Sequence, residues 1–358
     1  MSCDVIVAGG GTGGHIFPGL AVVRALEALG VRTGWIGAER GLEAEIVAER
    51  GIPLTLVDVE GISARRPAAA VLAAARLPRA VAACARTLLR QQPKVVLGVG
   101  GYASGAGLVA ASAVGVPVVL QEQNSIPGMT NRFLAPWADL ICCGFRDAVD
   151  AFPSLPAEWT GNPVRDRFFD VADAAPHDPP RVLVLGGSQG SLFLNRVLPR
   201  ALAELARRGL TPAVRHQAGV RWAEVVETGY EDLNLEAKVS AFLAEPWSAM
   251  AEADLVVARA GALTVSELAA AGRGAVLVPF AAAAGNHQEF NARSLERAGG
   301  AVVLTEEEAT VLRLAETLEN LLTDPDRLRR MGAAARKVAL PDAASRIARR
   351  LLEVGGVA

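Results

Sequence analysis

The chain has 358 residues, more than one typical core holds, so two domains are expected. Hydrophobic residues make up 51% and charged residues 21%, a balance that excludes a disordered chain. The net charge of −2 argues against a dedicated nucleic-acid binder.

The N-terminus carries Asp4, no basic stretch and an apolar run broken by glycines, so it does not read as a signal peptide. Residues 3–9 (CDVIVAG) read as a buried strand and residues 18–30 as a helix ending at Gly30. RTGWIG is a strand, GLEAEIVAERG a helix, and PLTLVDV, PKVVLGVG, VPVVLQ and ADLICCG are further strands. The uncharged stretch from Gly98 has membrane-spanning length, but its glycines and Pro117 favour strand, loop, short helix and strand. Continuous Val/Ile/Leu strands separated by helices mean a parallel sheet covered on both faces. Cys3, Cys84, Cys142 and Cys143 show no C-x-x-C spacing and read as reduced thiols.

After GNPVRDRFFD and the aperiodic VADAAPHDPP the pattern restarts. RVLVL, PAVRHQAG, KVSAFL, ADLVVARAG and GAVLVPF are strands with helices between them. The expectation is two doubly wound domains in tandem, residues 1–160 and 161–340. A last helix in 341–358 stands outside the second repeat and is expected to pack back on the first domain.

Chemistry-bearing loops follow the strands. VAGGGTGGHIFPG (residues 7–19) places Gly9, Gly11 and Gly14 in G-x-G-x-x-G register. A nicotinamide site also wants an acid at the end of the second strand. That strand ends in Gly37, with Glu39 beyond it, so the fingerprint is weak, and a cofactor loop has no use for His15. LGGSQGS (185–191) lacks the lysine of a triphosphate loop. It is either a diphosphate seat at a helix N-terminus or a plain tight turn. ARAGALTVSELAAAG (258–272) sets Glu267 near a helix start, where it either accepts two hydrogen bonds from a ribose diol or caps the helix. His287, Gln288 and Asn291 bring polar groups to the loop after the next strand. Glu122 and Asn124 follow another strand end, with GVGGYASG (98–105) as a companion loop. No D-x-D motif stands on a plausible catalytic loop, DPD at 324–326 lying in a late helix region.

Taken together, GGTGGHIFPGLA, LGVGGYASG, PVVLQEQNSIPGMTN, GNPVR, LGGSQG, AGALTVSELAAAG and HQEFNA resemble the MurG family, in family order over almost the whole chain. These glycosyltransferases add N-acetylglucosamine from UDP-GlcNAc to undecaprenyl-pyrophosphoryl-MurNAc-pentapeptide (lipid I), making lipid II for the peptidoglycan cell wall. The resemblance implies a GT-B architecture, two Rossmann-like domains facing across a cleft, and inverting transfer. It implies donor contacts from Thr12, Gly13, Gly14, Asn124, Arg165, Ser188, Leu243, Ala262, Leu263, Thr264, Val265, Ser266, Glu267 and Gln288. The backbone of Leu243 would meet uracil, Glu267 the ribose and Gln288 the GlcNAc hydroxyls. Acceptor contacts would come from Thr12, His15, Tyr102, Ser104 and Asn124. The chain departs from the family pattern at its four alanines 281–284, where relatives are more polar, and at Ala260, where a serine is common.

The expected mechanism is a single displacement without metal or cofactor. His15 takes the proton of the acceptor hydroxyl, as suits a group titrating near neutrality, and Glu122 is the next candidate base. The glycines would let the acceptor diphosphate approach the backbone, although His15 can equally cap its helix or bind phosphate. Residues 65–90 hold Arg65, Arg66, Arg76, Arg79, Arg86 and Arg90 without an acid, with Val81, Cys84 and Leu88 on another helical face. Such a segment either attaches peripherally to an anionic membrane or is a surface helix packing its apolar side on the sheet. The lipid acceptor favours the first reading and the cytoplasmic face of the membrane, beside other cell-wall synthesis proteins. Competing readings are a diacylglycerol glycosyltransferase, a UDP-GlcNAc 2-epimerase and a non-catalytic nucleotide-sugar-binding subunit. Intact loops in both domains speak against the last, and TGGH with QEQN against the first two.

Overall fold

The computed structural model describes residues 2–11, 13–41, 43–59, 67–172, 175–187 and 189–357, with backbone alone over 67–75 and at 284. Two compact units emerge: residues 1–164 with 342–358, and residues 165–341.

The first unit runs β1 (Val5–Ala8), α1 (Gly13–Ala28), β2 (Thr33–Ala38), α2 (Glu43–Ile46), β3 (Leu54–Val57), α3 (Pro67–Gln91), β4 (Val95–Gly98), α4 (Tyr102–Val114), β5 (Val118–Glu122), α5 (Met129–Leu134), β6 (Leu140–Cys143) and β7 (Ala157–Trp159). All seven strands are parallel, in the order β3-β2-β1-β4-β5-β6-β7. Alternate residues of β1 serve opposite faces, as strand geometry requires. Ile6 and Ala8 meet Cys84 and Leu88 of α3 and Leu108 of α4. Val5 and Val7 meet Ile16, Leu20 and Val23 of α1. Gly19 lets α1 approach β2, since a Cβ there would stand 2.5 Å from the Trp35 ring.

The second unit runs β8 (Arg181–Leu185), α6 (Leu192–Arg207), β9 (Ala213–Gln217), α7 (Ala223–Glu231), β10 (Ala237–Ser240), α8 (Pro246–Ala251), β11 (Leu255–Ala258), α9 (Ala262–Ala271), β12 (Ala275–Leu277), α10 (His287–Arg297), β13 (Ala301–Val303), α11 (Val311–Leu322) and α12 (Pro325–Arg336). Its six parallel strands follow the order β10-β9-β8-β11-β12-β13. Val182 and Val184 of β8 pack with Leu194, Leu198 and Leu202 of α6 and with Leu314 and Leu318 of α11.

Several elements differ from expectation. β7 and β13, of three residues each, are not among the strands expected from the sequence. α1 opens at Gly13 and passes through Pro18, so His15 is the third residue of a helix rather than the lip of a loop. The helix expected over 41–51 shrinks to α2 and a 3₁₀ turn (Ala48–Arg50), closed by Gly51 at φ 70°. The stretch from Gly98 is loop, α4 and β5, and among the described residues no helix is long and apolar enough to cross a membrane. On α3 the apolar face of Val81, Cys84 and Leu88 packs into the core, leaving Arg79, Arg86, Leu89 and Arg90 exposed, while Arg65 and Arg66 lie outside the described residues. The four cysteines are buried free thiols, and burial pushes Cys84 up to about 11 and Cys143 up to about 12.

α13 (Ala343–Val354) returns to the first unit, burying Ile347, Ala348 and Leu351 beside Val5, Val95 and Leu97. Leu351→Ala should therefore destabilise that unit by about 2–5 kcal/mol, through lost transfer energy and the cavity left behind. Hydrogen exchange checks this: protection of β1 and β4 amides should fall, and unchanged protection would mean that α13 carries no part of this core.

Candidate active site

In both sheets the strand order reverses once, between β1 and β4 and between β8 and β11. Ligands of doubly wound sheets bind beyond the strand C-termini at such points. The described residues of the loops there are 9–11 and 99–101 in the first unit, and 186–187, 189–191 and 259–261 in the second.

The first pair of loops is interlocked. Gly10 N–H donates to Gly100 O at 3.3 Å, and the His15 ring lies against the Cα of Gly100, where a Cβ would stand 2.7 Å from Cδ2. Gly101, at φ 82°, lies so close that a Cβ would stand 2.3 Å from Gly10 O. Gly9 N–H goes to Ile36 O at 3.0 Å, and Gly11 N–H to the buried carboxylate of Glu43 at 2.8 Å. Glu43 also accepts from Ala38 N–H at 2.7 Å. The N–H groups of the first three glycines are thus engaged internally. α1 opens just beyond them, with Gly13, Gly14 and His15 in its first turn. Glu43 was invisible in the sequence, because one of its partners, Gly11, lies 32 residues earlier in the loop after β1.

The QEQN stretch divides between scaffold and surface. Glu122 is 1% exposed, and its Oε1 accepts from Asn124 N and Nδ2 at 2.8 and 3.2 Å. Its Oε2 accepts from Gly128 N and Asn131 Nδ2 at 3.0 and 2.8 Å. Burial pushes its carboxyl up, against the pull of these four donors. A carboxylate has about four lone-pair sites, so Glu122 has none left for a substrate hydroxyl and instead builds the loop. Gln123 donates to Val99 O at 2.8 Å and to Gln121 Oε1, and Gln121 donates to Asn162 Oδ1 at 3.1 Å. Only Asn124 of the four is partly exposed.

In the second unit α9 opens at Ala262, so Glu267 is its sixth residue and not a capping acid. Ala262 and Val265 face the core, while Leu263, Thr264, Ser266 and Glu267 are half-buried. The Arg165 guanidinium lies 3.5 Å from Glu267 Oε1, and 4.6 and 5.2 Å from the ring centres of Trp247 and Phe168. Burial pushes Glu267 up to about 7, the nearby Arg165 opposing it. Trp247 had no sequence signal, since its role depends on stacking with a residue 82 positions earlier (247 − 165).

Gln288 Oε1 accepts from Ala260 N at 3.3 Å and Phe280 N at 3.0 Å, so the outward group of this amide is its NH₂ donor. Buried Arg259 donates to Val278 O and Pro279 O at 3.0 and 3.1 Å, pairs with Glu306 at 2.6 Å, and lies 5.5 Å from the ring centres of Phe193 and Phe280. The loops after β11, β12 and β13 are joined through this one side chain. Ser191 caps α6, its Oγ accepting from Leu194 N at 3.3 Å. Leu243 is buried in the loop after β10.

The fold therefore collects the expected first-unit residues His15, Tyr102 and Asn124 at the ends of β1, β4 and β5. The second-unit residues gather at the ends of β8, β10, β11 and β12, and Arg165 joins them through Glu267. Besides Glu122, Ser104 departs from expectation: it is 0% exposed, its hydroxyl turned toward Gly98 inside the fold, because this face of α4 packs on the sheet. It cannot touch an acceptor. Thr12 and Ser188 lie outside the described residues. Among the described residues no cluster of three or more His, Cys, Asp or Glu could hold a metal ion.

Residues 5–142 match the model of the glycosyltransferase family 28 N-terminal domain, and residues 181–347 that of its C-terminal domain. A UDP-N-acetylglucosamine–N-acetylmuramyl-(pentapeptide) pyrophosphoryl-undecaprenol N-acetylglucosamine transferase of Stutzerimonas stutzeri is 42% identical over 99% of both chains. The protein so named in Halorhodospira halophila is 45% identical over 96% of both. The crystal structure of Acinetobacter baumannii MurG superposes with TM-score 0.82 at 31% identity, over 98% of this chain and 99% of that one. A UDP-N-acetylglucosamine 2-epimerase, at TM-score 0.67 and 16% identity, shares the fold alone. With two parallel α/β units and near-full-length relatives of this kind, the chain has the GT-B fold and belongs to the MurG family of glycosyltransferases.

Proposed function

We propose that this protein transfers GlcNAc from UDP-GlcNAc to the 4-hydroxyl of MurNAc in lipid I, with inversion, forming lipid II. The near-full-length relatedness to chains named for this transfer carries the reading. In the proposed step the MurNAc oxygen forms a bond to C1 of GlcNAc while the bond from C1 to the β-phosphate oxygen breaks. UDP leaves with the electron pair, and His15 receives the hydroxyl proton. The position of His15 in the first turn of α1, its ring against the switch-point loop, supports this role. Glu122, with its oxygens engaged, remains a loop-builder.

The donor is assigned to the second unit. Backbone donors at the starts of α6 and α9 meet the growing charge of the leaving diphosphate. Glu267 accepts the ribose hydroxyls, the loop after β10 at Leu243 holds uracil, and the Gln288 NH₂ donates to a GlcNAc oxygen. Arg165 contacts the nucleotide while stacked on Trp247. Leu263, Thr264 and Ser266 line the same helix end, and Gly13, Gly14, Asn124 and Tyr102 serve the reacting sugars. No step uses a metal or cofactor.

The protein is further assigned to the cytoplasmic face of the membrane as a peripheral protein. Arg79, Arg86 and Arg90 exposed on α3 support this reading. So do Met129, Phe133 and Trp137, exposed around Arg132 in and just after α5.

Labelled GlcNAc should pass from UDP-GlcNAc to a short-chain lipid I analogue, and His15→Ala should cut turnover by about 10²–10⁴-fold with donor affinity little changed. Undiminished turnover would move the base elsewhere, and UDP-ManNAc formed from donor alone would favour epimerisation. Affinity for UDP-GlcNAc should rise with pH through about 7, because ribose hydroxyls favour the charged carboxylate of Glu267, whose proton is therefore released on binding. Glu267→Gln should weaken binding and flatten that profile; parallel profiles would remove Glu267 from the ribose. Liposome flotation should depend on anionic lipid, and flotation indifferent to it would end the electrostatic account of attachment.

A further inference from the structure

Gln217 closes β9, the strand between β8 and β10, and is 5% exposed. Its side-chain amide donates to Gly187 O and to Ala241 O, both at 3.1 Å. Gly187 belongs to the loop after β8 and Ala241 to the loop after β10. One NH₂ group thus ties together two loops that make different contacts in the nucleotide reading above, one to the diphosphate and one to the base.

The main chain around Gln217 reinforces the tie. Gly186 N donates to Gln217 O at 3.1 Å, and Ala218 N to Ser240 O at 2.9 Å. Gly190, at φ 75°, packs so closely on the residues after β9 that a Cβ would stand 2.0 Å from Ala218 O.

Behind the strand runs a buried polar chain. Asn195 of α6 donates from Nδ2 to Ala218 O at 3.0 Å, so its Oδ1 is an acceptor, 3.1 Å from His216 Nε2. His216 Nδ1 lies 3.0 Å from the Tyr230 hydroxyl of α7. Burial pushes His216 down to about 4, which keeps it neutral. A neutral imidazole has one donor and one acceptor, so Nε2 carries the proton toward Asn195 and Nδ1 accepts from Tyr230. Every member faces a complementary partner, and α6 and α7 hold the strand end that presents Gln217.

We propose that Gln217 is a positioning residue that sets the spacing between the diphosphate loop and the base loop, so that a nucleoside diphosphate is bound as one unit. The proposal rests on the nucleotide-sugar reading above. A ligand reaching two loops gains from both only when their geometry allows simultaneous engagement. A preformed spacing also removes the cost of ordering the loops on binding. Uridine alone reaches only the base loop and is insensitive to the spacing.

The experiment compares full-length wild type with Gln217→Met, similar in size but without donors, and Gln217→Asn, which keeps the donors on a shorter stem. Affinities for UDP and uridine are read by displacement of labelled UDP-GlcNAc, alongside Tm, KM and kcat. Gln217→Met should weaken UDP by about tenfold and uridine by less than about threefold, raising KM for UDP-GlcNAc with little change in kcat, as loss of uniform binding does. Gln217→Asn can reach at most one of the two carbonyls and should lie between, which keeps the test open if the Met variant does not fold. A lowered Tm with the wild-type UDP-to-uridine ratio retained would mean a purely structural role and overturn the proposal, as would unchanged affinities. Wild type that fails to bind UDP would overturn the nucleotide reading, and the brace with it.

Discussion

A strand inside a parallel sheet has neighbours on both edges and helices over both faces, so only its ends are left for chemistry. That constraint orders this protein. β1 is buried along its whole length, alternate residues packing against α1 on one side and against α3 and α4 on the other. The connections must return over the faces as helices. The strand C-termini therefore open into loops that lead straight into helix N-termini, where backbone donors have no helical acceptor. At the two reversals of strand order those loops have room between them.

Room alone does not make a site, since short loops over a sheet edge would move. Here each is held from behind by a buried polar side chain. Glu43 takes N–H groups from the ends of β1 and β2, and Glu122 folds its own loop around four donors. Arg259 gathers the loops after β11, β12 and β13, and Gln217 spans those after β8 and β10. Buried polar groups of this kind are costly when unpaired and strongly orienting when paired. Residues that sequence motifs offer as catalytic or binding groups thus fall into two sets, those left partly exposed at the strand ends and those that hold the loops.

Glu122 and Glu267 illustrate the division. Both are carboxylates at or beyond strand C-termini, and burial pushes both up from the usual carboxylate range. Glu122 has its oxygens filled by loop donors. Glu267 has one guanidinium at 3.5 Å and keeps capacity for a ligand diol. Its position in the second turn of α9 removes the capping role that a carboxylate nearer the helix start would take.

Much was legible from residue order. Continuous Val/Ile/Leu runs announced buried parallel strands, the restart after residue 180 announced a second sheet, and the glycine-rich turns marked the strand ends that carry polar groups. These signals are local, set by side-chain period and backbone freedom. What the tertiary structure alone decided is which polar residues face solvent and which are consumed inside. Ser104 looked available and is buried, because α4 turns that face to the sheet. The α3 apolar stripe could serve a membrane or the sheet by its sequence, and it packs into the core. The partners that settle such questions lie far along the chain, Gln121 from Asn162 by 41 residues and Arg165 from Glu267 by 102. Period and propensity extend over one element, whereas burial and hydrogen-bond pairing depend on which elements become neighbours.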